Sequence, residues 1–499
     1  MSHEAADPEQ KTSGGPAHRA PATLWLVTVL LLAVGSYQLN NTMIAPANPL
    51  IIKELATDTA EVGLAQTLFL LVAAISAIIV TRISDWTGRR RALMFSLVAL
   101  ILGNIVSALA PDVGTYLTGR AVSGLCGAVF AFAFLILHDL LDLRSFSRAL
   151  AVIAAVKAGL GGGEAVVSGA IVDNLGFRAV FWSMAAFTTV ALVSVRLVIP
   201  ETYSTTRQRL DWLGSLVIAV GLTGISLALS LGGKWGWGSP TTLIVFLAGV
   251  AALALFPLVE KRVRDPLIRT SELRSRNAWP VLLTNVLVLA GAFGATGFVL
   301  PLIAQDAGVG FGMGATTAAL TYVMPVSLVG FAIAPIAGSI APKVGWRSIL
   351  VTGMVVTIAA LAVLAAFSDD SAVAFAMALV LGAFYTGLVL TALDGLGVLL
   401  SSSEAPGALT GFNTAAFGIG ASLGVAVTGG IITRYQSGGS PTPAGYATAL
   451  WVCAGLALAG FLVAFFIPTT GVGAVDESTA AAPDHPEDPV SAADSPAKV

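Results

Sequence analysis

Between Lys157 and Gly169 the chain reads Lys-Ala-Gly-Leu-Gly-Gly-Gly-Glu-Ala-Val-Val-Ser-Gly, with an amine and a carboxyl seven residues apart inside a long apolar stretch. An unpaired charge at that depth costs at least about 2.5–3.5 kcal/mol, so Lys157 and Glu164 are candidates for holding a proton or a polar solute. Two helical turns bring them to one face, roughly 10 Å apart along the axis. Gly159, Gly161, Gly162 and Gly163 strip that face of side chains, so a neighbouring helix or a ligand can approach the backbone. This is the expected lining of a cavity. Arg120 and Asp394 are charges in other apolar stretches: Arg120 is permanently cationic and needs an anion, and Asp394 could be a second protonation or cation site or a carboxyl bonded to backbone or water. No phosphate-binding glycine loop, Ser-His-Asp set or metal-ligand cluster is present, so the chain is expected not to be an enzyme and to carry no cofactor.

The elements that position these residues are membrane spans. The 499 residues are 56% hydrophobic and 11% charged, with a mean hydropathy of +0.86, against about 25% charged in a soluble domain. Apolar segments of spanning length, about 20 residues, fall at 23–45, 62–82, 92–110, 114–138, 148–172, 178–198, 211–232, 241–259, 278–303, 316–341, 349–368, 372–400, 406–433 and 446–467. They are numbered 1 to 14 here. Residues 1–21 and 468–499 are polar and rich in Pro, Ala and charges, and read as disordered tails. Cys126 and Cys453 both lie in apolar segments, with no disulfide or metal spacing.

Cytoplasmic loops retain Lys and Arg. With both termini cytoplasmic, the cytoplasmic side holds 20 of the 26, including Arg82, Arg89, Arg90, Arg91 and six between Lys261 and Arg276; the other side holds Lys53, Arg178, Lys234 and Arg434. The connection Thr81-Arg-Ile-Ser-Asp-Trp-Thr-Gly-Arg-Arg is echoed eight segments later by Gly338-Ser-Ile-Ala-Pro-Lys-Val-Gly-Trp-Arg. Six plus two makes eight, so two six-helix halves, 22–199 and 277–467, are expected, with two inserted helices and a linker at 200–276.

The first of these connections resembles the signature Gly-x-Leu-Ala-Asp-Arg-x-Gly-Arg-Arg of the major facilitator superfamily, through Ile83, Asp85, Gly88, Arg89 and Arg90, with Thr81 at the first glycine. Gly88 permits a tight turn, and Asp85 suits a helix N-terminus or a basic partner. Arg120-Ala-Val-Ser-Gly-Leu-Cys-Gly-Ala is similar to the family's Arg-x-x-x-Gly-x-Gly-x-Ala, with Gly124 and Gly127 retained as packing glycines and Cys126 in place of the second glycine. Leu39-Asn-Asn-Thr-Met-Ile-Ala-Pro-Ala-Asn-Pro, Leu210-Asp-Trp-Leu-Gly and Gly232-Gly-Lys-Trp-Gly-Trp-Gly-Ser-Pro resemble the fourteen-helix drug/proton antiporter branch. Two departures stand out. The branch's helix 1 aspartate is Asn40, and its Gly-Pro-x-x-Gly-Gly in helix 5 is Glu164-Ala-Val-Val-Ser-Gly, which keeps Gly169 of the final pair.

The resemblance implies an all-α polytopic transporter of the cell membrane with 14 transmembrane helices. Its expected activity is proton-coupled efflux of a small amphipathic or cationic molecule, with Glu164 as the coupling acid and Arg120 or Lys157 as its regulator. Asp85, Gly88, Arg89 and Arg90 would act as a conformational gate. The expected partners are a small-molecule substrate, protons and the lipid bilayer, with no nucleic acid, and the chain is expected to act as a monomer. A metabolite uniporter or importer is favoured by the altered helix 5. A transporter-like receptor or assembly partner without transport is favoured if Glu164 and Lys157 form a locked pair.

Overall fold

The computed structural model describes residues 23–142, 145, 149, 152–153, 161–202, 211–262, 275–400, 408–437 and 440–468. Lys157 and Gly159 lie outside them, as do the two tails. The helices are α1 (Thr23–Thr42), α2 (Thr59–Thr87), α3 (Arg89–Ala108), α4 (Val113–Leu140), α5 (Gly161–Leu175), α6 (Phe177–Val198) and α7 (Trp212–Trp235). The chain continues with α8 (Pro240–Glu260), α9 (Trp279–Gln305), α10 (Ala315–Val344), α11 (Trp346–Ala366), α12 (Ser371–Gly397), α13 (Ala408–Arg434) and α14 (Pro443–Ala464). Among the described residues, 13 helices are long and apolar enough to cross a membrane, and α5 occupies the place of the remaining span. Only helices can satisfy their own backbone in hydrocarbon, which is why runs of this hydropathy fold this way.

Glycines and prolines set the breaks. The α2–α3 turn is made by Gly88 at φ +97°, and the α10–α11 turn by Gly345 at φ +86°, so the two echoed sequences fold as the same device. Both conformations lie where a Cβ is strained. Past Thr42, α1 gives way to a short 3-10 turn, Ala45–Ala47, and a two-turn helix, Asn48–Glu54, because Pro46 and Pro49 supply no amide to continue it. In α4 the helix is interrupted between Gly124 and Val129.

Two packed groups result. One buried core is drawn from 281–467, and two others come almost wholly from 26–199. The helix ends sort into an arginine-rich end, with Arg89, Arg90, Arg91 and Arg347, and an opposite end, with Arg178, Lys234 and Asp370. At that opposite end, side chains of Asp58, Asp112 and Asp370 cap α2, α4 and α12 by accepting from backbone N–H groups, each a contribution of about 1 kcal/mol. Helix α7 stands against both groups. A Cβ on its Gly233 would run into the Gly430 carbonyl of α13, and its Lys234 Nζ donates to Glu61 at 2.6 Å and pairs with Asp58 at 3.5 Å, both at the start of α2.

Candidate functional site

The end of α1 gathers the site. Arg120 of α4 is fully buried, and its Nη2 and Nη1 reach the Asn40 carbonyl at 3.3 Å and the Asn40 Oδ1 at 3.5 Å. Its guanidinium lies 4.3 Å from the centroid of Phe69, a contact worth up to about 2 kcal/mol when desolvated. Both hydrogen bonds are long, Nε has no protein partner, and among the described residues no carboxylate comes within ion-pair distance. Tyr37 packs edge-on to Phe130 at 5.3 Å and lies 5.7 Å from Phe69, so Arg120 sits behind an aromatic wall.

Glu164 of α5 is also held by α1, but not by Arg120. The Thr42 hydroxyl lies 2.5 Å from its Oε2, and one turn further on the Ser168 hydroxyl donates to the Met43 carbonyl at 2.5 Å. The same Thr42 hydroxyl lies 3.0 Å from the Gln38 carbonyl. It has one hydrogen for two acceptors. Either Thr42 donates to a Glu164 carboxylate, or a protonated Glu164 donates to Thr42 while Thr42 donates to Gln38. Both protonation states of Glu164 therefore have a partner in one geometry. Asn41 Oδ1 at the end of α1, Gln66 Oε1 on α2 and both amide atoms of Asn48, past the 3-10 turn, are buried without a protein partner.

Among the described residues no ion pair joins Glu164 to Arg120: each is held by α1, through Thr42 and Asn40, and Lys157 lies outside the described residues. Asp394 belongs to a separate cluster. Asn413 Nδ2 donates to its Oδ1 at 3.2 Å, and Asn285 Nδ2 donates to Asn413 Oδ1 at 2.7 Å. That network joins α9, α12 and α13 within the second group.

The motif after α2 packs the first group together. Arg89 is buried, pairs with Asp139 and donates to the Leu135 carbonyl at 3.0 Å, both at the end of α4. The Arg90 amide donates to Glu201 Oε1 at 2.9 Å, and Arg90 and Arg91 flank the same carboxylate at 3.7 and 3.6 Å. A Cβ on Gly88 would overlap Glu201. Asp139 and Glu201 had no sequence signal, since each stands at a helix end whose neighbour only folding selects.

The glycines divide by contact. Cβ atoms at Gly124 and Gly127 would meet the Phe69 and Ala73 carbonyls of α2, and the Ser76 hydroxyl crosses the same seam, donating to the Gly124 carbonyl at 3.0 Å. Gly162 and Gly169 of α5 lie against Met324 and against Ala315 and Thr316 of α10, whereas a Cβ on Gly163 would meet nothing within 4 Å; Gly161 is the first described residue of α5. The bare face of α5 is thus approached by a helix of the other group. Beyond it, Asp173 accepts from the Ala315 amide at 3.0 Å, the Thr316 amide at 2.9 Å and the Thr316 hydroxyl at 2.6 Å.

Two helical groups meet along a seam, α5 against α10 and α2 against α13, and the first group carries a buried guanidinium and a carboxyl at the end of α1, an arrangement that suits a membrane transporter. The Major Facilitator Superfamily model matches residues 30–425, and the chain belongs to that family. It is similar to a uridine/deoxyuridine transporter of Lactococcus lactis subsp. cremoris, 29% identical over 451 residues, which are 89% of this chain and 94% of the relative. It is also similar to a puromycin resistance protein of Streptomyces alboniger, 26% identical over 492 residues, 92% of this chain and 94% of the relative. Among solved structures the nucleoside transporter NupG has the same fold, with a TM-score of 0.59 at 13% identity over 89% of this chain and 98% of that one.

Proposed function

We propose that this transporter exports a small, uncharged, hydrogen-bonding organic molecule in exchange for protons, and that Glu164 is the group that carries the proton. The observation behind this reading is the Thr42–Glu164 contact of 2.5 Å, which accommodates the carboxyl with or without its proton. Arg120 argues against a cationic substrate: with no carboxylate beside it among the described residues it repels a second cation, and Asn40 cannot supply a negative charge. A neutral, hydrogen-bonding solute also fits the similarity to a protein named as a uridine/deoxyuridine transporter. The Lys and Arg distribution supports cytoplasmic termini, in a monomer.

In proteoliposomes, flux of tritiated uridine and of puromycin would be followed with and without an imposed pH gradient, with an internal dye reporting protons. Glu164→Gln should abolish accumulation against a gradient while substrate exchange at equal pH persists. Unaltered uphill transport in Glu164→Gln would remove that residue from the mechanism. Uptake of a nucleoside-like metabolite is a second reading, favoured by Asn40 and by the uridine transporter's 29% identity over 89% of this chain. The two readings differ in the sign of the pH-driven flux, since an importer would move solute and proton the same way.

A further inference from the structure

We propose that Asp173 is a gating residue: it holds the Arg178 end of the transport path shut by capping the first turn of α10 from the opposite half of the molecule.

The carboxylate spends both oxygens on that cap, accepting from the Ala315 and Thr316 amides and the Thr316 hydroxyl at 2.6–3.0 Å. These amides are among the four that begin α10 with no carbonyl of their own helix to bind, and α10 has no side-chain cap of its own, since Gly314 precedes Ala315. The positive end of the helix is therefore closed by a residue on the other half. Close approach is possible because Gly169, one turn earlier on α5, lies bare against Ala315 and Thr316. Other contacts across the seam run from this end toward mid-depth: Gly63, where an added Cβ would crowd the Phe298 ring, and Thr67 donating to the Ser422 carbonyl at 3.2 Å. Those are apolar or neutral contacts. Asp173 adds the charge-assisted bonds.

Asp173 lies just past the apolar segment that ends at 172 and is exposed. Burial works against its charge, but the hydrogen bonds from the Thr316 hydroxyl and the two amides outweigh it and hold the carboxyl below the usual range. A depressed value means that the interaction is fully present above the ordinary carboxylate range and is lost only as pH falls through the lower one. The charged pair near this end of α5 and α6, Glu54 and Arg178, is already joined at 2.6 Å. The charge that caps α10 is therefore carried by Asp173 itself, a different group from Glu164.

Opening this end must break three hydrogen bonds and expose the helix terminus, so loss of the carboxylate should favour the open state. The test places spin labels at Pro111→Cys and Asp369→Cys, exposed positions at this end of the two halves, in protein reconstituted in lipid nanodiscs. The distance distribution is then read by double electron–electron resonance. Asp173→Ala and Asp173→Asn should raise the ratio of the longer to the shorter distance by about two- to fivefold, and Thr316→Val should shift it less in the same direction. Thr442→Val serves as control, because it removes a cap from α14 within one half, and should leave the ratio unchanged. An unchanged distribution in Asp173→Ala, or an equal shift in Thr442→Val, overturns the proposal. The measurement uses neither substrate nor a proton gradient, so its outcome is separate from that of the Glu164 experiment.

Discussion

Arg120 shows how a buried charge is held where no described residue supplies a counter-ion. The two Asn40 contacts, at 3.3 and 3.5 Å, lie at or beyond the range of good N–H···O bonds, and the Phe69 ring supplies the rest. Asn40→Asp would turn a dipole into a charge at almost the same volume. The added carboxylate must itself be desolvated, so the net gain should be modest, on the order of 1–2 kcal/mol. We expect a higher thermal transition in detergent and new transport of lipophilic cations, read as dye flux in proteoliposomes. A lower transition with no cation flux would show that Arg120 is already adequately satisfied and does not set substrate charge.

At the scale of elements, contact rather than position on the helix decides what a glycine does. Gly127 lies at the interruption of α4, where its amide donates to the Ser76 hydroxyl oxygen at 3.2 Å and an added Cβ would run into the Ala73 carbonyl. Gly163 is exposed, with 4 Å of open space at its missing Cβ. Gly127→Ala should therefore force α2 and α4 apart and destabilise by about 1–3 kcal/mol, with a lower thermal transition and poorer yield. Gly163→Ala should be neutral or slightly stabilising, because alanine is the better helix former. Equal effects of the two substitutions would mean that the α2–α4 seam is looser than drawn.

For the molecule as a whole, the orientation inferred from Lys and Arg combines with the seam to say which side is closed. If the arginine-rich end is cytoplasmic, the contacts of Asp173, Gly169, Gly63 and Thr67 close the path on the outside. Cysteines introduced in the 265–275 connection should then resist membrane-impermeant maleimide in intact cells, whereas Trp237→Cys, an exposed position beyond α7, should react. The reverse pattern would invert the topology and, with it, the assignment of Asp173 to the outer side.

Spans, turns and the internal echo were legible in the chain because each is a local property. About 20 apolar residues cannot leave a backbone unsatisfied in lipid, and Gly88 and Gly345 announce turns that few other residues could make. The charges worth attention were legible for the same reason, since Arg120 and Glu164 are expensive where they stand. Their partners were not. Arg120 reaches Asn40 across 80 residues, Glu164 reaches Thr42 across 122, and Asp173 reaches Thr316 across 143. A hydrogen bond to a side chain on another helix depends on the rotation and offset of both helices. Only the packing of the glycine-bared faces, with α5 laid against α10 and α4 against α2, sets those.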